Sequence, residues 1–180
     1  MDTLQGFIVY MIDAQTLKLC ANRLMLTPFS AQDADVCFQC ITPTLTHYMA
    51  WEPPESPAVF KEIWQSWQHA FLSQSEIIFS IKSLDSNQFL GLVGIHQLKT
   101  ATPELGIWIR EDFHGYGFGM EAIITVKNWA TTQFKPDYFI YPVAIDNRAS
   151  RRIAEALGGS IYTQQQKKKY MAAIYHIPAE

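Results

Sequence analysis

The chain has 180 residues, 48% of them hydrophobic, and a formal net charge of −3. This length can bury one substantial core, whereas the negative charge argues against nucleic-acid binding, which needs clustered lysine and arginine. No apolar run reaches the ~18 residues of a membrane helix, and three cysteines do not make an even disulfide set. We therefore expect one domain over residues 1–180 of a cytoplasmic protein.

Apolar periodicity and turn residues divide the chain into about seven strands and four helices. Residues 1–20 are an N-terminal extension of unclear role, in which Gly6 to Met11 would suit an extra strand. Helices that interrupt a largely antiparallel sheet predict an α/β or α+β fold. Strands are predicted near Leu24–Pro28, Ile77–Leu84, Phe89–Leu98, Glu104–Ile109, Tyr138–Ile145, Ser160–Thr163 and Tyr170–Ile177, and helices at Ala31–Ile41, Ala58–Leu72, Gly117–Thr132 and Ser150–Leu157.

The first predicted helix contains a C-x-x-C pair, Cys37 and Cys40. A thioredoxin-type pair follows a strand and opens a helix, whereas these two lie in mid-helix. Zinc needs two further ligands, and no second C-x-x-C or H-x-x-x-H supplies them. We interpret both as packed thiols and expect no metal site, with a thiol redox site as the alternative.

A glycine-rich segment, His114-Gly115-Tyr116-Gly117-Phe118-Gly119, joins a predicted apolar strand to an amphipathic helix. Alternate glycines let the backbone approach a ligand, and the helix N-terminus presents unpaired N–H groups to an anion. The pattern therefore predicts a main-chain pyrophosphate cradle; the structural alternative is a turn with positive φ. Met120-Glu121 exclude a P-loop, and the third glycine comes one residue too early for the dinucleotide motif.

A second motif follows the predicted strand at Tyr138–Ile145. In the segment Asp146 to Gly159, Asn147 is a good helix N-cap and Gly158 a good C-cap. Such features describe many short surface helices. Their order and distance behind the glycine segment make them informative.

Together the two segments resemble the GNAT acyltransferase superfamily. His114 to Gly119 match its motif A, Q/R-x-x-G-x-G/A, whose amides hold the pyrophosphate of acetyl-coenzyme A, with His114 in place of Gln or Arg. Asn147 to Gly158 match its N-x-x-S-x-x-(apolar)-x-x-x-L-G segment. Arg23 to Asp35 and Glu104 to Ile109 are similar to strands and a helix of its ribosomal-protein N-terminal acetyltransferase-like branch.

The resemblance implies a single GNAT-like domain with a mostly antiparallel mixed sheet, in which the fourth and fifth strands splay apart. The pantetheine arm of acetyl-coenzyme A would lie in that gap. The implied cofactor-binding residues are Trp108, Ile109 and Arg110 on the strand, His114, Gly115, Tyr116, Gly117, Phe118 and Gly119 in the cradle, and Asn147 and Arg152 beyond it.

The implied activity is acetyl-coenzyme A dependent N-acetylation of a protein N-terminal α-amine or a small amine. An α-amine with a pKa near ~8 is more readily neutral than a lysine at ~10.4, so peptide N-termini are the easier acceptors. The alternative is a catalytically silent acyl-coenzyme A binding or sensing module. The expected partners are the acyl-coenzyme A and the amine acceptor. No nucleic-acid or membrane partner is expected, and a homodimer is compatible with the sequence.

Three residues are candidates for catalysis. Glu104 would border the thioester as general base through water, and His96, at the end of the preceding strand, is the alternative base. Ser150 would donate to the departing thiolate. The structural alternatives are a strand end facing solvent for Glu104, a structural histidine for His96 and helix capping for Ser150.

The acceptor pocket is expected to be framed by the segment from Tyr48 to Glu55 and by Trp64 and Trp67 on the helix after it. Trp51, Glu52 and Trp64 are the candidate acceptor-binding residues, although most such aromatics belong to a core. The basic run Gln164 to Lys169 predicts a solvated hairpin loop, with contact to an acidic partner as the alternative.

Overall fold

The computed structural model describes residues 12–180, so the strand considered at Gly6 to Met11 lies outside the described residues. Within 12–180 there are eight strands and four α-helices. The strands are β1 Leu19–Cys20, β2 Leu24–Pro28, β3 Glu76–Ser83, β4 Phe89–His96, β5 Glu104–Ile109, β6 Tyr138–Ala144, β7 Ser160–Gln166 and β8 Met171–Pro178; the helices are α1 Ala34–Cys40, α2 Pro57–Leu72, α3 Phe118–Phe134 and α4 Arg148–Ala156.

All eight strands form one sheet in the order β1-β2-β3-β4-β5-β6-β8-β7. Every neighbouring pair is antiparallel except β5 and β6, which are parallel. The predicted mixed, mostly antiparallel sheet is therefore confirmed. The two-residue β1 was missed because so short a strand has no periodicity to detect.

The parallel pair β5 and β6 separates almost as soon as it forms. Glu104 opposite Ile140 is its one paired position, and the Ile140 N–H donates to the Pro103 carbonyl at 2.9 Å. Beyond Glu104 the facing edges of the two strands are unpaired. The predicted splay of these strands is confirmed, and it opens the sheet at its centre.

Helices cover both faces of the sheet. Ala122, Ile123 and Val126 of α3 are fully buried against the central strands, in a core that also includes Ala154 of α4. On the other face, α1 and α2 pack over β2 to β4 around an aromatic cluster. This cluster comprises Phe29, Phe38, Phe60, Trp64 and Trp67.

The predicted N-cap of α4 is confirmed, and Gly158, predicted as its C-cap, lies one residue beyond the C-cap Leu157. The Asn147 side chain accepts a hydrogen bond from the Ser150 N–H at 3.1 Å, which satisfies one of the unpaired amides at the helix start. Gly158, with φ of +76°, ends the helix in the left-handed conformation that glycine adopts without a Cβ penalty. No helix of residues 12–180 is long and apolar enough to cross a membrane.

The C-x-x-C pair lies in mid-helix on α1. Cys37 is fully buried, and burial raises the pKa of its thiol, with smaller contributions from Cys40 and Asp33. Burial also raises the pKa of Cys40, despite the opposing charge of Arg110. Because the thiolate is the reactive form, these environments oppose the thiol redox alternative.

The three cysteines should differ in their reactivity toward a thiol reagent at neutral pH. We expect Cys20, which is exposed, to be modified first, Cys40 slowly and Cys37 only after unfolding. Peptide mass mapping of the native and the denatured protein checks this order. Rapid native modification of both Cys37 and Cys40 would contradict the structural interpretation.

Candidate active site

A cavity of about 370 Å³ lies over the splayed strands. The second halves of β4 and β6 and most of β5 form its floor, the start of α4 forms one side, and the segment between α1 and α2 forms another. All three predicted catalytic residues, His96, Glu104 and Ser150, line it together, as do Trp51, Trp108 and Asn147. The sheet thus gathers residues that are far apart in sequence.

Two glycines make a hollow in the cavity floor. Gly94 on β4 lies opposite Gly106 on β5, so that no side chain covers the sheet at this point. A Cβ on Gly94 would lie 2.7 Å from Nε2 of His96, which places the imidazole edge directly over the hollow. The two residues therefore leave room for a ligand beside His96.

His96 is held by a carboxylate that was not singled out in the sequence. Its Nδ1 lies 2.6 Å from Oε2 of Glu76 on β3. Since a carboxylate accepts, Nδ1 carries the proton, and in the neutral ring the lone pair is on Nε2, toward the hollow. A proton-accepting nitrogen thus faces the cavity.

Glu104 lies opposite His96 in the β4–β5 ladder and also lines the cavity. Burial raises the pKa of its carboxyl, and the charges of His96 and Lys167 oppose that rise. A buried carboxylate beside a hollow is a stronger proton acceptor than an exposed one. Its place in the cavity excludes the reading of Glu104 as a strand end in open solvent.

The β6-facing edge of β5 offers free main-chain groups. The Arg110 N–H donates to the Leu90 carbonyl at 2.8 Å, and by antiparallel alternation Trp108 also directs its main chain toward β4. Ile107 and Ile109 therefore face the gap. Of the three predicted contacts on this strand, Ile109 has the required direction, and Ile107 was missed because register cannot be read from sequence.

The glycine segment forms the turn that starts α3. Gly115 and Gly117 have φ of +85° and +80°; Gly117 is the N-cap and receives no side-chain hydrogen bond. Within residues 12–180 the amides of Tyr116 to Gly119 donate to no protein acceptor. Four unpaired N–H groups at a helix start are well suited to bind an anion.

An arginine in the bend between β1 and β2 stabilises this loop. Arg23 donates from Nη1 to the Tyr116 carbonyl at 3.0 Å, pairs with Glu121 at 2.8 Å, and covers the Phe118 ring at 4.5 Å. The pairing also neutralises the Glu121 carboxylate, which would otherwise repel an anion at the helix start. No local sequence signal reveals Arg23, because its partners are more than 90 residues away.

The His114 side chain is held within the protein, whereas the Arg152 side chain is exposed. His114 Nε2 donates to the Ile109 carbonyl at 2.6 Å, so it ties the loop to the end of β5. Arg152 is exposed on α4 and, within the described residues, forms no ion pair. Its neighbour Arg151 donates to the Tyr175 hydroxyl at 3.0 Å.

Ser150 is paired with a buried tyrosine from β6. The two hydroxyl oxygens of Ser150 and Tyr141 are 2.8 Å apart. Burial raises the pKa of Tyr141 to about 12, although the hydrogen bond to Ser150 lowers it. The sequence did not reveal Tyr141, which lies in an unbroken apolar strand.

The acceptor side of the cavity differs from expectation at two residues. Trp64 packs against Phe29 at 6.3 Å in the aromatic cluster and does not line the cavity, whereas Trp67, one turn further along α2, does. Glu52 is not a free carboxylate, because it pairs with Lys169 at 3.1 Å. Trp51 lines the cavity as predicted.

The hairpin of β7 and β8 reaches across to the opposite cavity wall. Lys169 donates to the carbonyls of Thr46 and Trp51 at 2.9 and 3.1 Å. The expectation of a wholly solvated loop was wrong, because β7 extends to Gln166 and the turn beyond it is anchored. Lys167 and Tyr170 of this hairpin line the cavity.

In sum, the described residues offer an open strand edge, four free amides at a helix start and a cavity with two proton acceptors. A linear ligand that carries amide groups and a diphosphate fits these features. Its amides would pair with the open strand edge at the gap, and its diphosphate would bind at the start of the helix. No group of three His, Cys, Asp or Glu side chains suited to a metal was found in the part of the chain that the structure describes.

Comparison with known proteins agrees with this geometry. An N-acetyltransferase of Bacillus subtilis (strain 168), YoaA, whose function is uncharacterized, is 26% identical over 140 residues, which is 76% of this chain and 79% of that protein.

Two solved structures share the fold. RimL, a ribosomal L7/L12 α-N-protein acetyltransferase in complex with coenzyme A, matches with a TM-score of 0.81 at 14% identity, over 90% of this chain and 98% of that one. A spermidine N-acetyltransferase from Vibrio cholerae, in complex with coenzyme A and spermine, matches with a TM-score of 0.75 at 17% identity, over 87% and 96%.

The model of the acetyltransferase (GNAT) domain matches residues 23–160, which is well over half of the chain and includes both β5 and the glycine segment. The chain therefore belongs to the GNAT family of N-acetyltransferases.

Proposed function

We propose that this enzyme binds acetyl-coenzyme A across the β5–β6 gap and transfers its acetyl group to a primary amine held in the cavity. The observation that carries the proposal is the continuity of the open β5 edge with the free amides of Tyr116 to Gly119. A diphosphate at those amides gains hydrogen bonds that the protein itself leaves unmade.

Main-chain N–H and carbonyl groups make most of the proposed contacts with the cofactor. The N–H and carbonyl of Ile107 and the N–H of Ile109 pair with the pantetheine arm in strand fashion, while the Ile109 carbonyl accepts from His114. The cradle amides hold the pyrophosphate. Asn147 and Trp108 line the cavity where the arm enters. Arg23 keeps the cradle open through its bonds to Tyr116 and Glu121.

Glu104 accepts the amine's proton through water in this proposal, and His96 is the alternative acceptor. An amine must be neutral to attack a thioester, so a nearby base with a raised pKa favours the reaction. Glu104 and His96 are neighbours on one cavity face. Glu76 positions His96 and does not itself line the cavity.

Ser150 and Tyr141 stabilise the departing sulfur. The pKa of Tyr141, at about 12, lies well above the ~8.5 of an ordinary thiol. Full proton transfer from the phenol to the thiolate is therefore uphill, and Tyr141 acts through Ser150, whose hydroxyl donates a hydrogen bond to the sulfur.

The acceptor is a protein N-terminal α-amine or a small amine. The two structural relatives described above have acceptors of both kinds, a ribosomal protein's α-amine and a polyamine. The lower basicity of an α-amine favours it over a lysine side chain.

Product masses from acetyl-coenzyme A and a panel of peptides, amino acids, polyamines and aminoglycosides test this function. Mass spectrometry is preferable to a thiol reagent because Cys20 is exposed. We expect an acetylated product, and its loss in Gly117→Glu, which places a carboxylate in the cradle. Coenzyme A binding without product across the panel would support a silent binding module instead.

Replacing Gly117 with alanine should weaken coenzyme A binding by about tenfold, or about 1.4 kcal/mol. Its φ of +80° is unfavourable for alanine by roughly 1–2 kcal/mol, and relief of that strain turns the cradle amides away. Gly158→Ala is the matched control, because its φ is +76° and its added Cβ meets only ordinary contacts. Calorimetric binding and thermal unfolding should show equal destabilisation in both variants but weaker binding only in Gly117→Ala.

The pH profile of kcat/KM should identify the general base. Because burial raises the pKa of Glu104, its carboxylate is protonated at a higher pH than an ordinary glutamate, and activity should fall as pH falls through that value. Glu104→Gln should lower kcat by about 10²–10⁴-fold and remove this acidic limb. His96→Gln should retain the limb; the reverse pattern would assign the base to His96.

A further inference from the structure

We propose that the acceptor amine carries a carboxylate close to its amino group, and that Lys167 binds this carboxylate. The inference rests on the proposed transferase function and narrows its acceptor to aminocarboxylates. The lysines of the β7–β8 hairpin are the starting point, because none of them has a role in the proposed acetyl-coenzyme A site.

The hairpin turn is fixed in place over the cavity. Lys169 donates to the carbonyls of Thr46 and Trp51 and pairs with Glu52. The Lys167 N–H closes the turn by donating to the Tyr170 carbonyl at 2.8 Å. These four contacts fix the hairpin turn, and the turn holds Lys167 at the cavity wall.

Lys167 differs from the neighbouring lysines in its partner. Lys169 is neutralised by Glu52, and Lys168 is exposed and does not line the cavity. Lys167 lines the cavity, and within residues 12–180 its ammonium has no carboxylate partner; it donates to the neutral amide oxygen of Gln165 at 2.7 Å. A carboxylate would be a stronger acceptor for it.

The charge of Lys167 acts inside the cavity. Burial raises the pKa of Glu104, while His96 and then Lys167 lower it, so the lysine and the carboxylate share one electrostatic environment. The cavity thus presents a negative group beside the glycine hollow and a positive group at its hairpin wall. This polarity complements an ammonium and a carboxylate in one small molecule.

A polyamine is disfavoured by the charge of Lys167. Its second ammonium would approach Lys167, and like charges in a partly closed cavity repel more strongly than in open solvent. An amine without a carboxylate would make no ion pair with Lys167. The structure therefore favours an amino acid, or a peptide with an acidic first residue, over a polyamine.

Acceptor pairs that differ only in a carboxylate test the inference. The pairs are an amino acid and its amide, and peptides that begin with aspartate or with asparagine; spermidine is the polyamine probe. Initial rates are measured with the wild-type protein, Lys167→Met and Lys168→Met. Lys168→Met is the matched control, because it removes the same charge from the same turn outside the cavity.

We expect Lys167→Met to reduce the carboxylate-to-amide ratio of kcat/KM by about tenfold or more, through KM, and Lys168→Met to leave it unchanged. Comparing ratios between variants cancels the different basicities of the paired amines. The amino-acid and peptide pairs distinguish a free aminocarboxylate from an acidic N-terminus.

Equal loss of the ratio in both lysine variants would overturn the inference, because it would reflect long-range charge alone. So would turnover with an unchanged ratio in Lys167→Met, or a wild-type preference for spermidine; both outcomes would leave the transferase function standing. Absence of product with every amine would instead refute the transferase proposal and this inference with it.

Discussion

The proposed ligand site depends on main-chain groups that the described residues leave without internal partners. Parallel pairing of β5 and β6 stops at Glu104, and the four amides from Tyr116 to Gly119 point out of the start of α3. Backbone polar groups are ordinarily paired, so a contiguous set of unpaired ones marks where a ligand completes the structure. The cavity lies along this opening, with the proposed base Glu104 and the Ser150–Tyr141 hydroxyl pair in its lining.

Specific contacts keep that opening from closing. Arg23 binds the Tyr116 carbonyl and neutralises Glu121, while His114 ties the loop to the Ile109 carbonyl. Positive φ at Gly115 and Gly117 sets the direction of the amides. These contacts satisfy the Tyr116 carbonyl and the His114 side chain and leave the N–H groups from Tyr116 to Gly119 free, which suits an anion and not a cation.

Local chemistry explains what the sequence predicted well. The glycine turn, the Asn147 cap and the Gly158 terminator were all identified because each acts within a few residues. The partners of Arg23, His96 and Lys169 were missed because their contacts span 20 to 123 residues. Ile107 was missed and Trp64 was misplaced for the same reason, since strand register and helix orientation are decided by packing.

Amide chemical shifts of the glycine loop test the central claim most directly. On titration with coenzyme A, the account predicts the largest ¹⁵N–¹H changes at Tyr116 to Gly119, and much smaller changes with pantetheine, which lacks the diphosphate. Saturable binding of coenzyme A with those four amides unperturbed would contradict it.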